Sequence, residues 1–566
     1  MYIFKKLFKI TAGISFVIIF IFFSTLQAKN LDKFNKAQSI SDYFSGILHL
    51  SENKYSESNN FLKRLDGLES SHQNYSTKYL FSLVNSGKLS QAFHYSNKLE
   101  RESKDSYVSD LISGVYLLGN SKFKKSKNYF LKAKNRETNS VFENYIANLL
   151  FIWSDLDQKN FDNAKIDLNK LDARFENLQK IQIVFLNCFF DKAETENLFK
   201  NLTLNQGIDF SRYNYFFAKY LINKGFDNKA ASIVSDSLKK NPRNLLLNQL
   251  ESDLQYSKKN FDFDCKKQTH VISELLYITA NVLSSQLILD LSNFYLNLAK
   301  HLNKDFQPFN TLMADNFYKT DNLLEAKKIY KDLALHGSDF KWYSNKQISK
   351  ILIQEGKKEQ SIKLLSKVYK ELNTKGLYET FDFAEFLKNN EEFEKAVFFY
   401  TEILNKINKK HPLYPKVTDG RGVSYERLGE WDKAEKDLLA SLDADPDQAY
   451  VINYLAYSWI EKGVKIDQSL NMLEKANKLK SNDPFIIDSL GWALFKLERY
   501  KESKDYLQLA VKLMPTDPIV NDHYGDVLWK NGKKIQARYY WNYVLDLERA
   551  EKDLKDKIEQ KLIKGL

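Results

Sequence analysis

The side chains that could do chemistry are spread thinly along the 566 residues. Eight histidines, His49, His72, His94, His270, His301, His336, His411 and His523, include no H-E-x-x-H turn that would set two imidazoles on one helix face around zinc. The only two cysteines, Cys188 and Cys265, have no metal-ligand spacing. Two isolated cysteines on helical patterns read first as free, buried small hydrophobes, although an oxidising compartment would let them pair. There is no G-x-S-x-G nucleophile elbow and no glycine-rich phosphate loop. His523 beside Asp522 comes nearest to a catalytic pair, but successive helix positions point about 100° apart, so the two do not share a proton. The expectation is a protein that binds: not an enzyme, and with no catalytic residue, metal or cofactor.

Charge narrows the partners. A formal net charge of +12 comes from 84 basic residues against 72 acidic ones, mixed as in "KDLKDKIEQK". That is a solvated helical face rather than a nucleic-acid footprint, and no nucleic-acid partner is expected. The N-terminus is more telling. Lys5, Lys6 and Lys9 precede an uncharged apolar run of 17 residues, 10–26. This length fits both a signal-peptide core and a short membrane span. Ala28 suits cleavage, whereas Leu26 is large for signal peptidase, so residues 1–28 are read as a signal peptide or a retained anchor. No cysteine follows to make a lipoprotein. The expected location is exported and periplasmic, either soluble or tethered to the inner membrane through residues 10–28.

The elements that would carry a binding surface are repeats. Small residues recur at Gly422, Ala456, Gly491 and Gly525, at steps of 34, 35 and 34, and are answered twelve or thirteen positions later by Ala434, Ser469, Ser503 and Ala537. A glycine inside a helix costs about 1 kcal/mol relative to alanine, so a neighbouring backbone must come close there. Gly429, Gly463 and Gly532 stand where a first helix should end. Asp483-Pro484 and Asp517-Pro518 stand where the next should begin. Ala280, Ala314, Ser349 and Ala384 extend the series backwards, and Gly46, Leu80 and Gly114 keep the same step near the start. The register slips over 152–270, where "YSKKNFDFDCKKQTH" reads as an exposed insertion or kink. A period of this size means stacked helical hairpins.

The pattern resembles the tetratricopeptide repeat (TPR) family. Gly491, Tyr500, Ser503, Ala510 and Pro515 match its motif, as do Gly422, Trp431, Ala434, Ser441 and Pro446. The resemblance implies an all-α, TPR-like solenoid, a right-handed superhelix of helix-turn-helix hairpins behind the N-terminal signal or anchor helix. Its parts would be an irregular array over 29–275, middle repeats over 276–410, C-terminal repeats over 411–547 and a capping helix over 548–566. The similarity to exported bacterial multi-repeat TPR proteins implies a protein-interaction scaffold of the cell envelope. The alternative is a chaperone-like assembly or quality-control factor for envelope proteins.

In that family the first helices line a concave groove. Carried over position by position, the groove would hold a polar ladder, Asp419, Asn453, Asp488 and Asp522, and an aromatic floor, Tyr457, Trp492, Phe495 and Trp529, edged by Lys530. One reading has the ladder grip basic or backbone groups of a protein or peptide segment while the aromatics seat its apolar side chains. The competing reading, preferred for the acids, has them complement the helix dipole from the first turn and leaves the aromatics to packing between repeats.

Overall fold

A computed structural model of the protein describes residues 37–136, 140–156, 161–204, 209–256 and 262–566. The signal or anchor read over 1–28 lies outside the described residues. These hold 30 α-helices and no strand, a TPR-like α-solenoid built from helical hairpins.

Each hairpin follows from a few positions. The left-handed residue at the turn is Gly429, Gly463 or Gly532 (φ 79°, 68° and 77°), and Glu498 (φ 61°) takes the same place in the repeat that has no glycine there. Asp483 and Asp517 accept backbone N–H bonds at the N-termini of Pro484–Lys496 and Pro518–Lys530. Within the hairpin the two helices nearly touch. A Cβ on Gly491 would stand 2.7 Å from Leu507 Cγ of the helix Tyr500–Leu513. Serine at the facing small position also ties the helices together: Ser503 Oγ donates to the Gly491 carbonyl at 2.7 Å. The same twelve-residue bond recurs from Ser58 to Gly46, Ser126 to Gly114, Ser292 to Ala280 and Ser361 to Ser349, at 2.7–2.9 Å. Buried carbonyls keep spare acceptor capacity, so the hydroxyl adds a contact that alanine lacks.

The chain divides into two compact units, residues 1–372 and 373–566. The division falls inside the stretch read from the sequence as middle repeats.

In the first unit the chain folds back on itself. The helix Leu289–Leu302, the second of its own hairpin, packs against Gln73–Asn85 and Tyr107–Gly119, which are first helices of earlier hairpins. Phe294 meets Phe81 edge to face at 4.7 Å, and His301 stacks on Tyr116 at 5.5 Å. Asn85 Nδ2 donates to the Asp290 carbonyl at 3.1 Å, and Asn293 Nδ2 to Tyr55 Oη at 2.9 Å. Gly119 permits this approach, because a Cβ there would run into the His301 ring. The helix is buried on nearly every side, with Phe294, Leu296, Leu298 and Ala299 at 1 % exposure or less.

Two expectations change here. Cys188 and Cys265 are bonded to each other, with Cα atoms 5.9 Å apart, rather than free. The stretch after Tyr256 is largely buried where it is described: Lys266 and Lys267 are exposed, but Asp262, Phe263 and Cys265 are buried, and Phe263 packs among Phe185, Phe216 and Phe306. Its sequence lacks repeat character because it enters an aromatic core and a disulfide rather than a hairpin.

Candidate functional site

In the second unit, packing runs from each hairpin to the next. First helices Leu377–Asn389, Tyr414–Arg427, Ala449–Glu461, Pro484–Lys496 and Pro518–Lys530 set the ladder one repeat apart, so each rung faces the helix that follows.

Two rungs are taken. Asp488 is buried, and both its carboxylate oxygens lie 3.0–3.1 Å from His523 Nδ1 of the next repeat. Burial works most strongly against the imidazole proton, but the charge and hydrogen bond of Asp488, joined by the charges of Asp522 and Asp526, together raise the His523 pKa. Trp492 stacks on the same imidazole at 3.9 Å and on Phe495 at 4.7 Å, while its Nε1 donates to Glu461 at 2.6 Å. Asp522 belongs to a second cluster. Lys561, on the final helix Lys552–Lys564, reaches Asp522 at 2.5 Å and Asp526 at 2.8–2.9 Å, and Trp541 Nε1 donates to Asp526 at 3.0 Å. Burial, with the Asp522 charge added, pushes Asp526 up to about 6 against the opposing pull of Lys561.

The other two rungs are open. Among the described residues nothing hydrogen-bonds to the half-buried Asp419 carboxylate. Burial lifts its pKa to about 6, Lys388 opposing and Glu385 reinforcing the rise. Lys388 is itself held by Glu385 at 3.0 Å, and Glu385 also accepts from Tyr400. On the next repeat, the buried Asn453 Oδ1 has no hydrogen-bond partner. Tyr457, half-buried on the helix that carries Asn453, has its ring 6.3 Å from His523.

The structure thus sorts the sequence-derived residues. Asp488, Trp492 and Asp522 are buried, so they join repeats together rather than offer a surface. Trp529 packs on Trp541 at 5.3 Å, and Lys530 is exposed at the rim. The helix-dipole reading of the acids gives way: Asp488 is the fifth residue of Pro484–Lys496, beyond the first turn, and Asp483 does the capping. Sequence reasoning looked to Asp522 as the neighbour of His523 and missed Asp488, 35 residues away; one repeat period was the available signal. Glu385, Lys388 and Lys561 were missed because each acts on a ladder residue from another helix.

Residues 338–550 match a family model described as tetratricopeptide repeat. A TPR repeat-containing protein of Pseudomonas aeruginosa is 28 % identical over 156 residues, 28 % of this chain and 26 % of its own length. The chain therefore spans about a quarter of that relative. Among solved structures, an APC/C hetero-tetramer, Cut9–Hcn1, aligns over 95 % of this chain and 99 % of its own with 14 % identity and a TM-score of 0.38. MamA from Desulfovibrio magneticus RS-1 aligns over 31 % of this chain and 97 % of its own, with 17 % identity and a TM-score of 0.27. Residues 338–550 are thus tetratricopeptide repeats, and helical hairpins of the same spacing precede them.

Proposed function

We propose that the protein is an interaction scaffold of the cell envelope, and that residues 373–566 receive a partner segment bearing lysine or arginine at the open rungs Asp419 and Asn453. TPR repeats mediate protein–protein interaction, and here the ladder supplies its own precedent. Where a rung is filled, a cationic or imidazole group from the following helix fills it: His523 on Asp488, Lys561 on Asp522. The observation that carries the reading is a desolvated carboxylate and an amide oxygen in register with those pairs and still lacking partners. A half-buried carboxylate offset only by a lysine already held by Glu385 is unfavourable in the unbound protein, and perturbed groups of this kind concentrate at functional sites. Tyr457 would supply apolar contact beside the charge.

Export supports the envelope setting. The lysines and apolar run of residues 1–28 suit a signal or anchor, and the Cys188–Cys265 bond suits an oxidising compartment. No helix of the described residues is long and apolar enough to cross a membrane.

Crosslinking mass spectrometry in cells, comparing the wild-type chain with Asp419→Lys and Asn453→Lys, tests the site. Both substitutions should remove the same subset of partners and leave the circular dichroism unchanged. Unchanged partner lists from folded variants would exclude these rungs.

A further inference from the structure

The first described helix, Ala37–Ser51, presents a face unlike the rest of this highly charged chain. Ile40, Phe44 and Leu48 lie one turn apart and are 48 %, 66 % and 56 % exposed. Apart from His49, the helix's one side chain that carries a charge at neutral pH is Asp42, which is turned inward and paired with Arg64 at 3.2 Å. Gly46 and Leu50 complete the inner side, where Ser58 bonds to the Gly46 carbonyl. The outer side is therefore an uncharged stripe of Ile40, Phe44 and Leu48 flanked by the exposed Ala37, Gln38, Ser41 and Ser51. Single exposed apolar residues need no explanation; three on consecutive turns of one uncharged face do.

The arrays end differently. The last hairpin is covered by Lys552–Lys564, whereas no described helix precedes Ala37–Ser51. What precedes it in the sequence is the uncharged run 10–26, whose polar residues are only the hydroxyls Thr11, Ser15, Ser24 and Thr25, a composition that suits apolar surroundings. Ile40 follows Leu26 by 14 residues, a reach of at most about 50 Å. Within that interval Lys29, Lys33 and Lys36 outweigh Asp32, a balance that favours anionic headgroups. We propose that the Ile40, Phe44 and Leu48 face lies on the surface of the membrane that holds residues 10–26. A tether of this length keeps the stripe at high local concentration beside the bilayer, so modest apolar contact suffices to hold it there. The proposal rests on the reading of residues 10–26 as a retained anchor.

The test uses the full chain in vesicles of phosphatidylethanolamine and phosphatidylglycerol. Single-cysteine variants F20C, F44C, L48C and F226C carry an environment-sensitive fluorophore; because Cys188 and Cys265 are bonded, labelling without reductant reaches the new thiol alone. Phe226 is the control, an exposed aromatic elsewhere in the same unit. Lipid-borne quenchers should remove at least about half the emission at positions 20, 44 and 48 and little at 226. Quenching at 20 with none at 44 and 48 overturns the surface contact while leaving the anchor standing. No quenching at 20 overturns the anchor and the proposal with it. A blue shift at 44 without lipid quenching would show that protein covers the stripe, either residues 10–26 or a second copy, and also overturns it. Phe44→Glu with Leu48→Glu should free the helix from the lipid surface and leave the thermal unfolding midpoint within about 2 °C, since neither side chain is buried.

Discussion

The helix Leu289–Leu302 in the first unit and Lys561 in the second both engage first helices of earlier hairpins, but with different chemistry. In the first unit the filler is a whole helix with nine of its fourteen residues buried, seven of them aromatic or aliphatic. In the second it is one amine between two carboxylates, and two further rungs of the same ladder stay open. Apolar filling is non-directional and scales with area, so it closes a surface permanently. Charge pairing depends on geometry and nearly cancels its own desolvation, which leaves such a surface exchangeable. One hairpin design thus produces a unit closed by an apolar helix and a unit whose ladder keeps two rungs without hydrogen-bond partners.

The largest expected effect comes from removing the staple found only in the first unit. The Cys188–Cys265 bond closes 77 residues, and a loop of that size stabilises by about 4 kcal/mol through the unfolded chain. A thiol reductant should lower the stability of residues 37–372 by about that amount and leave the second unit unchanged. Hydrogen exchange followed by mass spectrometry, with and without reductant, reads both units in one sample. Equal loss of protection in the two would show that they do not unfold independently.

Next comes Lys561→Met. It leaves Asp522 and Asp526 facing each other without their cation and should cost about 3 kcal/mol, confined to the last hairpins. Asp526 already has a raised pKa, so the folded state holds its proton to higher pH than the unfolded chain does. Stability from such a group is present at low pH and lost as pH rises towards the folded value of about 6. The defect should therefore be full at pH 7 and shrink below about pH 5, as urea titrations at the two pH values would reveal. A pH-independent loss would mean that packing of the lysine stem matters more than its charge.

Asp419→Asn should act in the opposite direction. The wild-type carboxyl rises from 3.8 to about 6 on burial, so the unbound protein loses stability as pH climbs between those values. An amide cannot ionise, and the variant should gain about 2 kcal/mol at pH 7, the gain fading below pH 4. A lysine-bearing partner segment should meanwhile bind it more weakly. A gain in stability with no loss of binding would assign the rung to the fold alone.

The fold was largely legible, and the reason is mechanical. Steps of 34 and 35 residues between Gly422, Ala456, Gly491 and Gly525 report helix crossings that admit only small side chains, and the crossings lie where those steps place them. The turn glycines and the Asp-Pro starts are equally local. The candidate site was half legible: Asp419 and Asn453 could be placed from the period, but the burial of Asp488 and Asp522 could not, because their partners come from the next helix and from the end of the chain. The closing of the first unit had no sequence signal at all. Leu289–Leu302 reads as an ordinary second helix, and only its nearly all-round burial distinguishes it.

The smallest effect tests whether a repeat without its glycine carries strain. Glu498 is exposed and adopts φ 61° at the turn where Gly463 and Gly532 sit in the flanking repeats. A left-handed conformation costs a residue with a Cβ about 1–2 kcal/mol. Glycine removes that strain but adds freedom to the unfolded chain, a loss of about 0.4–1 kcal/mol. The balance predicts that Glu498→Gly stabilises the second unit by about 0.5 kcal/mol, and that Gly532→Ala destabilises it by about 1 kcal/mol. Leu287, at φ 61° and 71 % exposed, offers the same substitution in the first unit. There the covering of first helices by Leu289–Leu302 restrains the neighbouring turn, so Leu287→Gly should change the urea midpoint less than Glu498→Gly does. Equal shifts would mean that the turn relaxes independently of what packs beside it, and that the difference between the two units stops at their inner faces.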